Sequence, residues 1–350
     1  MNSKPRFKLD LEGLDLDFSL SDSEIYWREH YDWLYQCGYE LRPRYHPDWV
    51  PSWVRDPELK MSIPWCEDSV RTVYSNLMDA TRIRDGYRVM LKRVDWSIHP
   101  HEAAITYKLS QDDWGSDARN HAVPLLDLLE PPHDGERDIF ILVMPLLSRD
   151  IHALNTMIDA RLLCPEEVHP VRQLWPRSLQ GIMRKSTRTE HPVRYYIIDF
   201  GISRLYSAED LPPLEYPISG IDRTVPEFKN PSIPQNPFPT DIYYLGNMIR
   251  EQFILGTGGI STPGFYGFDF LLPLVLDMVQ DDPRNRPTID EVIDRFSIIV
   301  NKLSWWKLRS RLVPRSETAS ERRRRTFKHI IHTITYIYRG LPAIPQPLPI

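Results

Sequence analysis

The chain is poor in cysteine and has no long apolar run. Its three cysteines, Cys37, Cys66 and Cys164, are far apart and form no C-x-x-C pair. That pattern argues against a disulfide framework and a structural zinc site, and it favours a reducing, intracellular compartment, either cytoplasmic or nuclear. No segment approaches the roughly 18 apolar residues that indicate a membrane span. The acidic N-terminal segment also lacks the apolar core of a secretory signal.

An excess of basic charge is absent too. The formal net charge is −5, so nucleic acid is not expected as a partner. Only 15 glycines stand against 32 prolines, which indicates many fixed turns and extended connections. The 350 residues are sufficient for a substantial core, arranged as two lobes or two domains.

Residues 1–64 are interpreted as an N-terminal extension. Its first residues are acidic and predict an unstructured tail. The segment 21–41 predicts a helix, with Ser21 or Asp22 as its cap. The proline- and tryptophan-rich segment 42–57 predicts a packed linker across a surface.

Residues 65–147 carry strand signals. Two β-rich runs flank Asp85-Gly86, which is typical of a hairpin turn. A short helix is predicted near His101-Glu102, and AVPLLDLLE (122–130) and DIFILVMPLL (138–147) predict two more strands. This part of the chain is therefore expected to form a small, mostly antiparallel sheet carrying one helix.

After Asp199 the pattern changes to helical periods. Three segments, 240–254, 270–280 and 288–303, have apolar faces with helical spacing. Residues 306–350 form a basic and proline-rich tail. Its arginine run 322–325 could touch acidic lipid or a partner, but a solvated helix face is the simpler interpretation.

Polar motifs occur along these elements in a definite order. They are VMLK (89–92), Glu102, SRDIHALN (148–155), Asp199-Phe200-Gly201, Val225-Pro226-Glu227, DIYYLG (241–246) and DPRNRPT (282–288). Together they resemble the motifs of the protein kinase family across residues 89–288. The resemblance implies an α+β, bilobal fold with a small antiparallel β lobe (65–147) and a helical large lobe (148–305).

The resemblance also implies roles for particular residues. Lys92 would contact the phosphates of ATP, and Glu102 would hold Lys92 by an ion pair. Asp150 would be the catalytic base, while Asn155 and Asp199 would bind Mg²⁺. Met144, at the end of a strand and hinge, would lie beside the nucleotide. Arg286 and Glu227 would form a buried structural ion pair.

Each site residue also has a simpler structural interpretation. Lys92 is consistent with a strand-surface lysine, and Glu102 with an acid favoured near a helix start. Asp150 and Asp199 are consistent with turn acids, and Asn155 with a helix cap. Their common order along the chain favours the functional interpretation.

Three departures from the family pattern bear on activity. The glycine-rich loop is absent upstream of Lys92, which weakens the expected grip on phosphates. Ser148 replaces the family histidine, and His152 occupies a position where Ser/Thr kinases usually carry lysine. The short helix and long core helix expected between residues 147 and 148 are missing, so the large lobe is incomplete and should expose apolar surface.

Three hypotheses follow. In the first, the chain is an active kinase that transfers phosphoryl groups from Mg-ATP to Ser or Thr of a protein substrate. In the second, it is a pseudokinase that binds or scaffolds a protein partner. In the third, it is a truncated gene product without stable activity. The contiguous missing block suggests a skipped exon or mis-joined gene model. The helix at 21–41 and the WVPSW segment (49–53) also resemble the N-terminal extension of a group of fungal kinase-like proteins.

Overall fold

The computed structural model has an α+β architecture. It describes residues 8–11, 14–17, 19–132, 138–149, 155–164, 166–181, 183–184, 186–218, 222–257 and 263–346. Two residues singled out from the sequence, Asp150 and His152, lie outside these ranges. Within them, no helix is both long enough and apolar enough to cross a membrane.

Most of the strands come before residue 200, and the three longest helices come after it. The strands are β1 (Lys8–Leu11), β2 (Leu14–Asp17), β3 (Tyr39–Leu41), β4 (Leu77–Arg82), β5 (Arg88–Asp95), β6 (Asp127–Leu129), β7 (Ile139–Pro145), β8 (Ser148–Arg149), β9 (Thr156–Ile158), β10 (Tyr195–Ile197), β11 (Phe265–Tyr266) and β12 (Val313–Pro314). The helices are α1 (Asp22–Glu29), α2 (Tyr31–Gln36), α3 (Ser52–Arg55), α4 (Glu102–Ser110), α5 (Asp112–Gly115), α6 (Pro237–Ile249), α7 (Leu272–Met278), α8 (Ile289–Asn301), α9 (Trp305–Leu308) and α10 (Ala319–Tyr338).

A five-stranded antiparallel sheet forms the largest core. Its order is β3-β4-β5-β7-β6, and β5 pairs with β7 along its length. The turn between β4 and β5 contains Gly86 at φ +70°, a conformation that glycine adopts without a steric penalty. The predicted hairpin is confirmed, as is the helix that follows it, α4.

The N-terminal extension is part of this sheet. Strand β3 pairs with β4, with Tyr39 opposite Arg82, so the segment 1–64 contributes an edge strand to the sheet. The predicted single helix is two helices, α1 and α2, which meet at His30. Ser21 caps α1 through a capping box with Glu24. Residues 8–11 and 14–17, expected to be unstructured, form the antiparallel strand pair β1–β2 instead.

Buried ion pairs connect the predicted linker to α1 and to the sheet. Arg44 Nε donates to Glu24 at 2.9 Å, and Arg42 Nε donates to Asp79 of β4 at 3.1 Å. Burial raises the pKa of Glu24, but the hydrogen bond and charge of Arg44 outweigh it, so the net pKa is lowered. The linker is therefore a packed segment, as predicted, and turns through short helical pieces such as α3.

The helical region, residues 222–257 and 263–346, contains the predicted helices α6, α7 and α8. Its core is small and includes Ile242, Leu274, Met278 and Val292. The predicted Arg286–Glu227 pair is confirmed: the guanidinium donates to both carboxylate oxygens, at 2.7 and 2.8 Å, with both side chains almost fully buried. This pair joins the segment before α6 to the turn before α8.

Apolar side chains on α8 face solvent. Ile289, Ile293 and Phe296 are 48%, 54% and 47% exposed and follow one face at helical spacing. The opposite side of the apolar arc packs through Val292 onto α7. Exposed apolar surface in this region was expected from the missing helices.

The described residues between Asn155 and Asp199, here called the insert, pack on the β-rich region, residues 19–132 and 138–149, and also contact the helical region at Tyr336 and Arg339. Trp175 contacts Trp65 edge-on, with 4.8 Å between ring centroids. Arg172 donates to the Pro64 carbonyl at 2.6 Å, and Arg88 of β5 pairs with Glu167 at 2.8 Å. This insert therefore extends the β-rich region rather than replacing a helix of the helical region.

Candidate functional site

Lys92 lies at the centre of the candidate site. It occupies β5, opposite Leu142 of β7, and its side chain is only 12% exposed. Its ammonium group forms ion pairs with two carboxylates: Glu102 on α4, and Asp199, whose Oδ1 accepts at 2.7 Å. The structure thus brings together residues that are 107 positions apart in the chain.

Glu102 is the fixed member of this cluster. It is the first residue of α4, and only 2% of it is exposed. Ala103 packs with Val94 and Leu142, which holds the start of α4 against the sheet. Oε1 of Glu102 accepts from Lys92, and no hydrogen-bond partner for Oε2 is present among the described residues. The buried carboxylate therefore has one oxygen that pairs with Lys92 and one without a hydrogen bond among the described residues.

Asp199 is the accessible member. It follows β10 with φ +65°, an uncommon conformation for a residue other than glycine, and its side chain is about half exposed. Burial raises the pKa of Asp199, but the hydrogen bond and charge of Lys92, with the Gly201 N–H, outweigh it and lower the net pKa. The carboxylate is therefore held in its charged form.

Gly201 allows the loop after Asp199 to approach the other acid. A β-carbon at position 201 would lie 3.2 Å from Asp199 Oδ1 and 3.3 Å from Glu102 Oε2. The Gly201 carbonyl accepts a hydrogen bond from His99 Nδ1 at 2.8 Å. His99 thus anchors the Asp-Phe-Gly segment beside α4. Sequence reasoning missed it, because its only signal is its position just before Glu102.

Asn155 is brought next to the segment that carries Asp199. Its carbonyl accepts the Ile198 N–H at 3.0 Å, at the end of the β9–β10 ladder. Asp150 lies outside the described residues, so its predicted position is not tested. The neighbouring Arg149 donates its N–H to Gln173 of the insert at 2.8 Å.

Met144 lies in β7, opposite Met90 of β5. It is partly buried and packs against two apolar clusters, one containing Ala103 and the other containing Leu147. Phe200, the middle residue of Asp-Phe-Gly, packs against the second of these clusters. Apolar contacts therefore connect the strand end at Met144 with the segment that positions Asp199.

A separate cavity of about 170 Å³ lies between the end of the sheet and the insert. Its lining includes Arg88, Leu147, Cys164 and His169. His169 is fully buried, and its Nδ1 accepts the N–H groups of the following turn at 3.1 and 3.0 Å. Burial, helped by the charge of Arg42, lowers the pKa of His169 to about 4. The sequence contained no pattern that identified this histidine.

The oxygen donors present suit a hard cation only in part. Among the described residues, no group of three or more His, Cys, Asp or Glu side chains could hold a metal ion. Asp199 and Asn155 carry carboxylate and amide oxygens, the ligand type that Mg²⁺ prefers, and Mg²⁺ commonly takes one or two carboxylates with its remaining ligands from water and phosphate. In ligand type, Asp199 and Asn155 therefore fit Mg²⁺ that arrives with a phosphate ligand.

Comparison with known proteins assigns no family. No protein-family model matches the chain, and no curated protein matches it. A functional assignment consequently depends on the motifs and on the arrangement of Lys92, Glu102 and Asp199.

Proposed function

We propose that the chain is an intracellular, bilobal, protein kinase-like protein that binds Mg-ATP and transfers its γ-phosphoryl group to a Ser or Thr hydroxyl of a protein substrate. The observation that carries this proposal is the contact of Lys92 with both Glu102 and Asp199. The antiparallel sheet with α4 following β5 supports it, because the lysine and its partner acid lie on the elements that the resemblance implies.

The differing burial of the two acids suggests how Lys92 would act. Glu102 is buried and retains Lys92 at the sheet, whereas Asp199 is half exposed. Phosphate oxygens can therefore replace Asp199 as the second partner of Lys92 without the loss of Glu102. Asp199 is then free to act as an oxygen ligand for Mg²⁺, which would neutralise charge on the phosphates when bound. Asn155 would supply another oxygen.

The remaining roles follow from the motif. Asp150 would accept the proton of the substrate hydroxyl. Met144, at the end of β7, would contact the base of the nucleotide through apolar packing. These assignments depend on the same closed arrangement of the sheet, α4 and the Asp-Phe-Gly segment.

Nucleotide binding is tested by thermal unfolding of the full chain with ATP and Mg²⁺. A ligand present at about 100 times its Kd stabilises a protein by roughly 2.7 kcal/mol, so the midpoint should rise by several degrees. Lys92→Met should abolish the rise, since it removes the phosphate contact. Lys108→Met, at an exposed position of α4, is the matched control and should respond like the wild type. A cooperatively unfolding wild type with no response at millimolar nucleotide would contradict the proposal.

A pseudokinase is the second candidate. Its support is that β8 follows β7 after only a short connection, without the helices that the resemblance implies, and that no glycine-rich loop precedes Lys92. Transfer of labelled phosphate to a generic protein substrate separates the two candidates. Transfer that is lost in Asp150→Asn supports an active kinase, whereas stabilisation by ATP without transfer supports a binding module.

A further inference from the structure

Helix α10 carries an apolar stripe that faces solvent. The helix is 20 residues long, about 30 Å, and is capped by Thr318 with Glu321. The stripe consists of side chains at helical spacing that are between 42% and 91% exposed: Phe327, Ile330, Ile331, Ile334, Ile337 and Tyr338. An amphipathic helix of a globular protein normally turns this face toward the core.

The polar side of α10 contacts the protein instead. His329 Nε2 donates to the Arg309 carbonyl at 2.9 Å. Tyr336 donates its hydroxyl proton to Thr187 at 2.9 Å, and Arg339, just after the helix, pairs with Glu190 at 2.6 Å. These contacts fix the rotation of α10 about its axis. Because its polar side packs on the protein, the apolar stripe faces solvent.

Basic side chains border the stripe. Arg322 and Arg325 lie near the buried carboxylate of Glu317, at 3.8 and 3.6 Å. In contrast, Arg323, Arg324 and Lys328 are exposed and form no ion pair with a described carboxylate. Arg323 precedes Phe327 by one helical turn, and Arg324 and Lys328 lie on the same side of the helix as Ile331. The N-terminal half of the stripe is therefore bordered by exposed basic side chains.

The geometry points to α10 as a site that binds an anionic phospholipid surface, lying in the plane of the membrane. A basic amphipathic helix with low overall hydrophobicity inserts its apolar face at the boundary between headgroups and acyl chains. The stripe enters that boundary, while Arg323, Arg324 and Lys328 extend to the anionic headgroups. This inference is independent of the proposed nucleotide site.

The exposed face of α8 offers an internal comparison. Ile289, Ile293 and Phe296 are exposed to a similar degree, but Asp290 and Asp294 border them. Anionic headgroups would be repelled there. Apolar exposure alone therefore does not distinguish the two helices, and charge complementarity selects α10 for a lipid surface.

The test is co-sedimentation of the full chain with vesicles of phosphatidylcholine, with and without phosphatidylserine. Binding is expected only with phosphatidylserine and should fall with added salt. Ile334→Ser should weaken binding about tenfold or more, because an inserted apolar side chain is replaced by a polar one. Arg323→Gln and Arg324→Gln should each weaken it roughly fivefold. Ile293→Ser on α8 is the matched control and should leave binding unchanged.

Circular dichroism and the unfolding midpoint establish that each variant is folded. If Ile334→Ser does not fold, the two arginine variants, whose side chains project into solvent, carry the test. Absence of binding to phosphatidylserine vesicles, or equal loss in Ile293→Ser, would overturn the inference. So would an oligomer that Ile334→Ser dissociates without any vesicle binding, because the stripe would then be a protein interface.

Discussion

In the β-rich region, side chains such as Met78, Leu91 and Ile141 are completely removed from solvent, whereas in the helical region α8 and α10 turn apolar side chains outward. In the first region both sides of the sheet are covered: α1 and α2 pack against one side, and α4 packs against the other. The described residues of the helical region form two smaller buried clusters, one with Leu274 and one with Val275. The difference shows that a segment can have correct helices and still lack a partner for their apolar faces.

Both regions contain a buried ion pair between an arginine and a glutamate. Arg44 pairs with Glu24 in the β-rich region, and Arg286 pairs with Glu227 in the helical region, with the acids and guanidinium groups buried in each case. The candidate site lies at the β-rich region, because Lys92 and Glu102 belong to it and Asp199 contacts Lys92.

The largest expected effect comes from Arg286. Arg286→Ala leaves the buried Glu227 without its partner and should reduce the free energy of unfolding by about 3–5 kcal/mol. Arg284, in the same turn, pairs with Asp282 at the surface, so Arg284→Ala should change it by less than about 0.5 kcal/mol. Urea unfolding of both variants measures the contrast. Equal effects would mean that the helical region is not held by the buried pair.

An intermediate effect is expected from His169. Its pKa in the folded protein is about 4, below its ordinary value of 6.5, so the unfolded chain takes up a proton first as the pH falls. The contribution of His169 to the free energy of unfolding is fully present above pH 6.5. It should be lost as the pH falls toward 4, and the loss is roughly 3 kcal/mol at most. His169→Asn, whose side-chain oxygen can still accept from the turn, should flatten this dependence. An unchanged pH profile in the variant would contradict the prediction.

The smallest effect is expected on the exposed face of α8. Ile293→Ser should change the free energy of unfolding by less than about 0.5 kcal/mol, because more than half of the side chain is exposed and little packing is lost. Leu274→Ala, in the small core beside it, should cost about 2–5 kcal/mol. Chemical denaturation of both variants makes the comparison. A large cost at Ile293 would show that the face is covered in solution and that the regions are more alike than their exposure indicates.

Local signals in the sequence were sufficient for much of the fold. The hairpin at Gly86, the three helices after Asp199 and the sheet before residue 147 each follow from turn residues and apolar periodicity. The Lys92–Glu102 and Arg286–Glu227 pairs could be named because the motifs supplied the partners. The catalytic role of Asp150 remains a prediction.

Other features depended on contacts between distant residues. Strand β3 joins the sheet from within the extension, and His99 anchors Gly201, although neither has a local pattern that specifies its partner. The break at His30 likewise depends on how two short helices pack.

The sequence by itself determined which side chains share a face, because the periods of helix and strand are fixed by backbone geometry. It could not determine which way a face would turn. On α10 the hydrogen bonds of His329 and Tyr336 to residues far away in the chain set that rotation. In the same way, only the tertiary structure brought Asp199 to Lys92, since the free energy of such a contact depends on the burial and charge of residues that are far apart in the chain.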